Sequence, residues 1–417
     1  MKFKSEIIIT LIIAILVLFL KLINVLQIEN GLGNPFIIIL MIICFSSITI
    51  FVQKNIDKNY NENKVNYQNL DILKYISAIL IMILHLRPFI NFSDQLDLAF
   101  NNIITRICVP IFFIITGYFV AKKENNNENY IKDYIKKTIP LYLVWSLLYV
   151  PIIIGTIIQY LPNINEYLLK INISLPLFII LSMLLLPVVI LIALCYTGTY
   201  YHLWYFPAII FSLLILKKWK NKFDIKYLLV ISFILLLFGA TETYYGILPL
   251  SIKELLSYYY NIFFTTRNFL FFGLFYVVLG YFIGTKEKVY SKYCFAKLII
   301  SFFLLVFEAI LLHDTSRLNS NILLSCVPLT YHLFISVIYI TNNIKLKFQF
   351  GSLSKYYYLI HPMIIYILSI SYPKLNNNPW LEIFIVLVIT HIISLIIIKK
   401  PKNNIIIRKT QNKKIAN

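Results

Sequence analysis

The stretch DILKYISAILIMILHL, residues 71–86, is apolar over most of its length, with charged residues at its start and a histidine near its end. Similar apolar runs recur along the chain, in which 59% of the 417 residues belong to the AVILMFWYC set and 13% are charged. A soluble domain has about half apolar and about a quarter charged residues. This composition excludes a soluble enzyme and predicts an all-α, polytopic integral membrane helical bundle.

Twelve apolar segments are predicted to cross the bilayer as helices. They lie near residues 7–27, 35–53, 71–91, 104–121, 138–158, 199–216, 227–247, 267–284, 296–312, 321–341, 354–371 and 380–398. The first two are predicted to be accessory transmembrane helices within residues 1–56. The main membrane domain is predicted over 70–400, and 401–417 is predicted to be a basic cytoplasmic tail.

Positive charge is concentrated between these segments. The chain has 38 Lys and Arg against 18 Asp and Glu, a net charge of +20. In a soluble protein this excess would indicate a nucleic-acid partner, but basic loops between apolar segments are typical of the cytoplasmic side of a membrane. We therefore predict a lipid bilayer and no nucleic acid as partner. Twelve crossings put every basic cluster on one side, which predicts a multi-pass plasma-membrane protein with both termini cytoplasmic.

A further apolar run, 173–195, does not fit this count. A full crossing would put either the basic cluster 122–137 or the basic cluster 217–226 on the wrong side of the membrane. Pro187 lies within the run, and a proline frees backbone groups that need shelter inside a bilayer. We predict a re-entrant hairpin buried in the bundle. The alternative is a true span, with another segment miscounted.

Lys74 and His85 are the strongest catalytic candidates. Eleven positions are about three helical turns, so the two residues share one helix face and lie roughly 16 Å apart along the axis. Asp71 precedes Lys74 by one turn and can pair with it. A cation at the cytoplasmic boundary and an imidazole at depth suit an anionic donor that enters from the cytoplasm. The alternative is a snorkelling lysine and a core histidine.

The same spacing resembles the signature of the membrane acyltransferase-3 family, in which a basic residue precedes a histidine by eleven positions. Further stretches resemble the family: RICVPIFFIITGYF (106–119, with Thr116 in place of serine), YHLWYFP (201–207), TRNFLFFG (266–273) and SLSKYYYLIHP (352–362). YHLWYFP, TRNFLFFG and ETYYG (242–246) particularly resemble the membrane half of vancomycin-resistance serine racemases. Lys74 stands where arginine is commoner in the family. The 417 residues contain no racemase domain, so we expect no pyridoxal-phosphate chemistry.

The resemblance implies an integral-membrane O-acyltransferase that takes an acyl group, usually acetyl, from acyl-CoA as donor substrate and binds no cofactor. The implied acceptor is a hydroxyl of an exported glycan or cell-envelope molecule, either a polysaccharide or a lipid-linked sugar. His85 can act as general base or carry the acyl group covalently, and the sequence leaves both open. The alternative function is a membrane transporter or substrate-binding module for a small solute such as serine.

Eight further residues are predicted to bind substrate, because ionisable and polar groups inside a membrane are costly and mark functional sites. They are Arg106, His202, Trp204, Glu242, Tyr245, Arg267, Glu308 and His361. The alternatives are a headgroup anchor for Arg106, an interfacial aromatic belt for His202 and Trp204, a solvated loop for Glu242 and a structural hydrogen bond for His361. We predict no metal site, since no metal-ligand spacing occurs.

Overall fold

The structure is a computed structural model that describes residues 66–90, 92–170, 174–286, 294–312, 317, 321–339 and 349–399. The predicted accessory helices within 1–56 and the predicted tail 401–417 lie outside the described residues.

Helices form nearly all of the described part, which contains no strand. The longer helices, numbered in chain order, are α1 (Tyr67–Leu86), α2 (Cys108–Glu124), α3 (Tyr130–Lys170), α4 (Leu175–Ile192), α5 (Tyr205–Lys220), α6 (Ile225–Ala240), α7 (Leu250–Phe263), α8 (Leu274–Thr285), α9 (Cys294–Leu311), α10 (Cys326–Tyr339), α11 (Phe350–Ser371) and α12 (Pro379–Lys399). Short helical segments over Asp94–Leu98, Ala99–Ile104 and Thr105–Ile107 lead into α2.

Six helical stretches of the described part are long and apolar enough to cross a membrane. They are Tyr67–Leu86, Leu96–Glu124, Tyr130–Gln159, Leu175–Thr197, Cys294–Leu311 and Pro379–Lys399. The all-α, polytopic membrane architecture is therefore confirmed. Each of the ten predicted spans between residues 71 and 398 overlaps a helix, but the predicted count of about twelve crossings is not reached among the described residues.

The prediction of a buried re-entrant hairpin over 173–195 is wrong. Within this run Leu175–Ile192 forms one continuous helix, α4, prolonged by a π-helical turn over Ala193–Thr197, and none of the side chains over Leu175–Thr197 is buried. Pro187 lies inside the helix without reversing it. A proline removes one backbone hydrogen bond, which a strongly apolar helix tolerates, and local π-helical adjustment can satisfy freed groups.

The centre of the bundle is the contact between α2 and α8, where glycines let two backbones approach closely. A Cβ atom at Gly280 would lie 2.0 Å from the Ile114 carbonyl oxygen, and one at Gly117 would lie 2.0 Å from the Val277 carbonyl oxygen. Small residues at such contacts are typical of membrane helix pairs. The packing turns a different face of α2, with Phe112 among its residues, toward α1 and the cavity described below.

The ends of α2, α5 and α8 meet at one end of the bundle, which we call the basic end. The ammonium group of Lys220 lies 2.7 Å from the buried carboxylate of Glu124, which also accepts a 3.0 Å hydrogen bond from the Tyr281 hydroxyl. Lys122 donates to the Lys286 carbonyl oxygen at 3.3 Å. Because α1 starts near this end, Lys74 lies toward the basic end and His85 toward the opposite end.

Candidate active site

A cavity of about 530 Å³ runs through the bundle between α1, α2, α5 and α11. Both Lys74 and His85 line it, as the shared helix face predicts. Four of the predicted substrate-binding residues line it as well: Arg106, His202, Trp204 and Arg267. The structure therefore brings most of the predicted site residues, from four separate parts of the chain, to one continuous space.

His85 lies in the last turn of α1, which ends because Arg87 takes a left-handed backbone conformation with φ of 42°. Its imidazole ring is partly exposed to the cavity. The centroid of this ring lies 4.7 Å from that of Tyr201, which meets it edge-on. It lies 5.5 Å from that of His361, which stacks on it with the two ring planes inclined by 18°. Among the described residues its ring nitrogens have no hydrogen-bond partner, so they are available to a substrate.

His361 is fully buried in α11 and does not line the cavity. Its Nδ1 lies 2.7 Å from the Tyr357 carbonyl oxygen, which can only accept, so Nδ1 carries the proton. Its Nε2 has no hydrogen-bond partner in the described part of the chain. His361 therefore packs directly behind His85 with a fixed ring orientation.

His202 completes a cluster of three imidazoles. Its ring is buried, meets His361 edge-on at 6.1 Å, and has no hydrogen-bond partner on either nitrogen among the described residues. The Tyr358 hydroxyl donates to the His202 carbonyl oxygen and so fixes the backbone there. Within the described ranges, no group of three or more His, Cys, Asp or Glu side chains could hold a metal ion.

Three lysines surround the cavity at the basic end. Lys74 forms a 2.5 Å ion pair with Asp71, and its ammonium group lies 5.9 Å from the centre of the Phe119 ring. Lys123 and Lys355 line the same cavity and are exposed. Sequence reasoning missed both, although Lys355 stands inside the SLSKYYYLIHP stretch. Their common location follows from packing of α1, α2 and α11.

Two arginines line the cavity toward the opposite end. Arg106 donates from Nη1 to Asn321 Oδ1 at 3.2 Å and from Nη2 to Asn102 Oδ1 at 2.9 Å, while its buried Nε has no hydrogen-bond partner in the described part. The Arg267 guanidinium stacks on the Trp204 ring at 5.0 Å. Sequence reasoning missed Asn321, which lies far from Arg106 along the chain.

Glu242 lies behind the cavity wall and does not line it. One carboxylate oxygen accepts from the Thr265 hydroxyl at 2.9 Å and from the Thr266 amide at 2.7 Å, and the other accepts from Asn321 Nδ2 at 3.1 Å. Because Asn321 in turn accepts from Arg106, Glu242 connects the segments that carry both arginines. This geometry favours a positioning role over direct contact with acceptor hydroxyls.

Glu308 and Tyr245 also lie away from the cavity lining. The Glu308 carboxylate accepts from the Tyr244 hydroxyl and from the amides of Leu324, at 2.6 Å, and Ser325, at 2.7 Å. These amides precede α10, so the carboxylate caps that helix. Tyr245 packs against Tyr260 and under the Lys253 ammonium group at 5.9 Å.

The fold and the family comparison together place the chain among helical membrane proteins with an acyltransferase domain. Residues 67–399 match the family model described as an acyltransferase domain, acyltransferase-3, and the chain belongs to this family. The resemblance stated from the sequence motifs is thus confirmed.

The curated relatives include racemases of amino acids. An amino-acid racemase of Enterococcus faecalis is 28% identical over 341 residues, which are 78% of this chain and 45% of the relative. A second one from the same species is 29% identical over 247 residues, 58% of this chain and 31% of the relative. A serine/alanine racemase of Enterococcus gallinarum is 24% identical over 335 residues, with coverage of 78% and 45%. The chain thus spans less than half the length of these relatives. No solved structure matches it.

Proposed function

We propose that the chain transfers an acyl group, acetyl from acetyl-CoA, to a hydroxyl of an exported glycan or cell-envelope molecule. One observation carries this proposal: a single cavity joins a lysine-rich opening at the basic end to His85 and the two arginines toward the other end. Such a cavity lets a donor and an acceptor approach one reacting group from opposite sides of a membrane.

The opening at the basic end suits the phosphates of a coenzyme A donor. Lys74, Lys123 and Lys355 present ammonium groups there, and charge-assisted hydrogen bonds to phosphate are among the strong ones. Phe112, Ile115 and Phe119 line the cavity further in, which suits the uncharged pantetheine arm. The axial separation of Lys74 and His85, about 16 Å, matches an extended arm that reaches from phosphates to a thioester.

At His85 the chemistry is transfer of the acyl carbon from sulfur to oxygen. A ring nitrogen of His85 accepts the proton of the acceptor hydroxyl as its oxygen forms a bond to the thioester carbon. The carbon–sulfur bond then breaks, and the leaving thiolate takes up the proton. In the alternative course the ring nitrogen itself bonds to the thioester carbon while the carbon–sulfur bond breaks and the thiolate leaves. In a second step the acceptor oxygen bonds to that carbon, the carbon–nitrogen bond breaks, and the hydroxyl proton passes to the thiolate.

In the proposed orientation the protein spans the plasma membrane and its basic end lies on the cytoplasmic side. It rests on the bias of short basic loops toward the cytoplasmic side. Acyl-CoA, an intracellular donor, then meets the lysines, and the exported hydroxyl arrives between Arg106, Arg267 and Trp204.

The test uses membranes from cells that express the full chain, supplied with acetyl-CoA carrying ¹⁴C in its acetyl group. We expect label to enter the envelope fraction as an ester that mild base releases, and His85→Ala to abolish this label. Ester label that enters the envelope fraction of His85→Ala membranes as it does in wild-type membranes would refute the proposal. The absence of any label in wild-type membranes would also refute it.

A second candidate is transport or binding of a small solute such as serine. The observation that favours it is the similarity of this chain to proteins named as amino-acid and serine/alanine racemases. Sealed vesicles with labelled acetyl-CoA on one side and labelled serine on the other separate the two. Accumulation of serine without ester formation supports transport, and ester formation without serine accumulation supports the acyltransferase.

A further inference from the structure

The cavity contains two guanidinium groups with too little negative charge around them. In the described part of the chain neither Arg106 nor Arg267 forms an ion pair, although both line the interior of the cavity. Glu242 is buried beside the segment that carries Arg267, and its oxygens accept hydrogen bonds from Thr265, Thr266 and Asn321. One carboxylate therefore lies beside the segment that carries Arg267 and is connected to Arg106 through Asn321.

Unpaired charge of this kind is costly inside a membrane protein unless a ligand compensates it. The orientation of both guanidinium groups is fixed: that of Arg106 by hydrogen bonds to Asn321 and Asn102, and that of Arg267 by its stacking on Trp204. The buried Nε of Arg106 has no partner in the described residues. A guanidinium group that keeps free N–H donors is suited to an oxyanion, which it can bind in a bidentate manner.

The donor does not supply this anion. With its phosphates at Lys74, Lys123 and Lys355, the part of acyl-CoA that reaches His85 is the uncharged thioester end. The arginines lie on the far side of the cavity from those lysines, so their anionic ligand must arrive with the acceptor.

We propose that the acceptor carries an anionic group, a phosphate or a carboxylate, next to the hydroxyl that is acylated, and that Arg106 and Arg267 bind it. The inference rests on the proposed acyl-transfer function and narrows its acceptor from hydroxyl-bearing envelope molecules to acidic ones. Asn321 and Glu242 act as positioning residues, since they connect the two arginine-bearing segments.

The first experiment analyses the labelled product of the full-length protein in membranes. Membranes labelled from ¹⁴C-acetyl-CoA are digested to the smallest labelled saccharide, which is passed over an anion exchanger. Label that depends on His85 and is retained supports the inference. Label that depends on His85 but passes through overturns it while leaving the proposed function intact. No label dependent on His85 refutes the proposed function and the inference with it.

Chemical treatment of the retained fragment then identifies the anion. Hydrofluoric acid cleaves phosphate esters and so abolishes retention of a phosphate-bearing fragment. Carbodiimide coupling to a neutral amine abolishes retention of a carboxylate-bearing fragment.

The second experiment uses the retained acceptor, without its ester, as substrate for variants. Arg267→Gln and Arg106→Gln should each raise the KM for this acceptor by about ten- to one-hundred-fold, with the donor KM changed less than about twofold. Arg267→Lys, which keeps the charge, should raise it less. Arg317→Gln is the matched control, because Arg317 contacts the Phe264 carbonyl oxygen and the Tyr260 ring and does not line the cavity. A fall in kcat with unchanged acceptor KM would mean that the arginines stabilise the reaction's oxyanion instead, and it would overturn the inference.

Discussion

His85 and His361 stack with ring centroids 5.5 Å apart and planes inclined by 18°, although they belong to the first and the eleventh described long helices. The outer ring of this pair faces the cavity, and the inner one is fixed by its hydrogen bond to the Tyr357 carbonyl oxygen. A fixed inner ring limits how far the outer ring can turn. The pair therefore orients His85 by packing, without a hydrogen bond between the two rings.

We expect His85→Ala to lower kcat for acyl transfer by about 10²- to 10⁴-fold, because it removes the group that takes the hydroxyl proton. The measurement is initial rate with saturating donor, alongside the amount of folded protein in the membrane. His332→Ala is the matched control, since His332 contacts Cys294 and does not line the cavity. Wild-type rates for His85→Ala at normal accumulation would contradict the catalytic assignment.

We expect His361→Ala to lower kcat by about ten- to one-hundred-fold, because a loosened His85 is misplaced relative to the reacting atoms. A residue that acts only through His85 has no further effect once His85 is gone. In the His85→Ala background, His361→Ala should therefore change the residual rate less than about twofold. Multiplicative losses in the double variant would show that His361 contributes independently.

We expect Lys74→Ala to raise the KM for acetyl-CoA by about tenfold and Lys74→Arg to raise it less, because arginine preserves the charge that meets the phosphates. Lys123→Ala and Lys355→Ala should shift the donor KM in the same direction. The effect should shrink at high salt, which screens exposed charges.

Lys226→Ala is the matched control for these variants, because Lys226 is exposed, lies near Asp224 and does not line the cavity. Equal and negligible effects of Lys74→Ala and Lys74→Arg would leave Lys74 as a snorkelling residue without a role in donor binding.

The helices and the Lys74–His85 face could be predicted because both depend on local order along the chain. Apolar length identifies a membrane helix, and helical periodicity puts residues eleven positions apart on one face. Lys123, Lys355 and Asn321 could not be predicted in the same way. Their contribution depends on how distant helices pack, which no local pattern specifies.

The error over 173–195 has a different origin. The distribution of basic loops led to the prediction that the chain reverses direction at Pro187. The structure instead has one continuous helix over Leu175–Ile192. A strongly apolar segment stays helical despite a single proline, because in lipid a helix satisfies its own backbone hydrogen bonds.

Glu242 and Glu308 show a further limit of the sequence. A buried carboxylate is a costly group that needs hydrogen-bond partners, but the sequence does not show whether those partners are backbone amides or a substrate.

We expect Glu308→Gln to lower the free energy of unfolding by about 1–3 kcal/mol, because the amide nitrogen cannot accept the hydrogen bonds that reach the carboxylate. Catalytic parameters per folded molecule should not change, since Glu308 does not line the cavity. Thermal unfolding in detergent and steady-state kinetics measure the two effects. Glu254→Gln, on the exposed face of α7, is the control for stability. A changed kcat at unchanged stability would contradict this structural role and show that Glu308 acts in the substrate site.

The last prediction concerns the side of the membrane on which each end of the cavity opens. The connections after α2 and after α5 lie at the basic end, where Lys220 pairs with Glu124, while Gly246 lies in the connection after α6 at the opposite end. In a chain whose five native cysteines are replaced, single cysteines at Asn126 and Lys222 should react with an impermeant maleimide only after permeabilisation, because basic loops stay in the cytoplasm. Cysteines at Gly246 and at the exposed Phe92 should react in intact cells. Labelling of Asn126→Cys from outside would invert the orientation and put the lysines on the acceptor side, where acyl-CoA is absent.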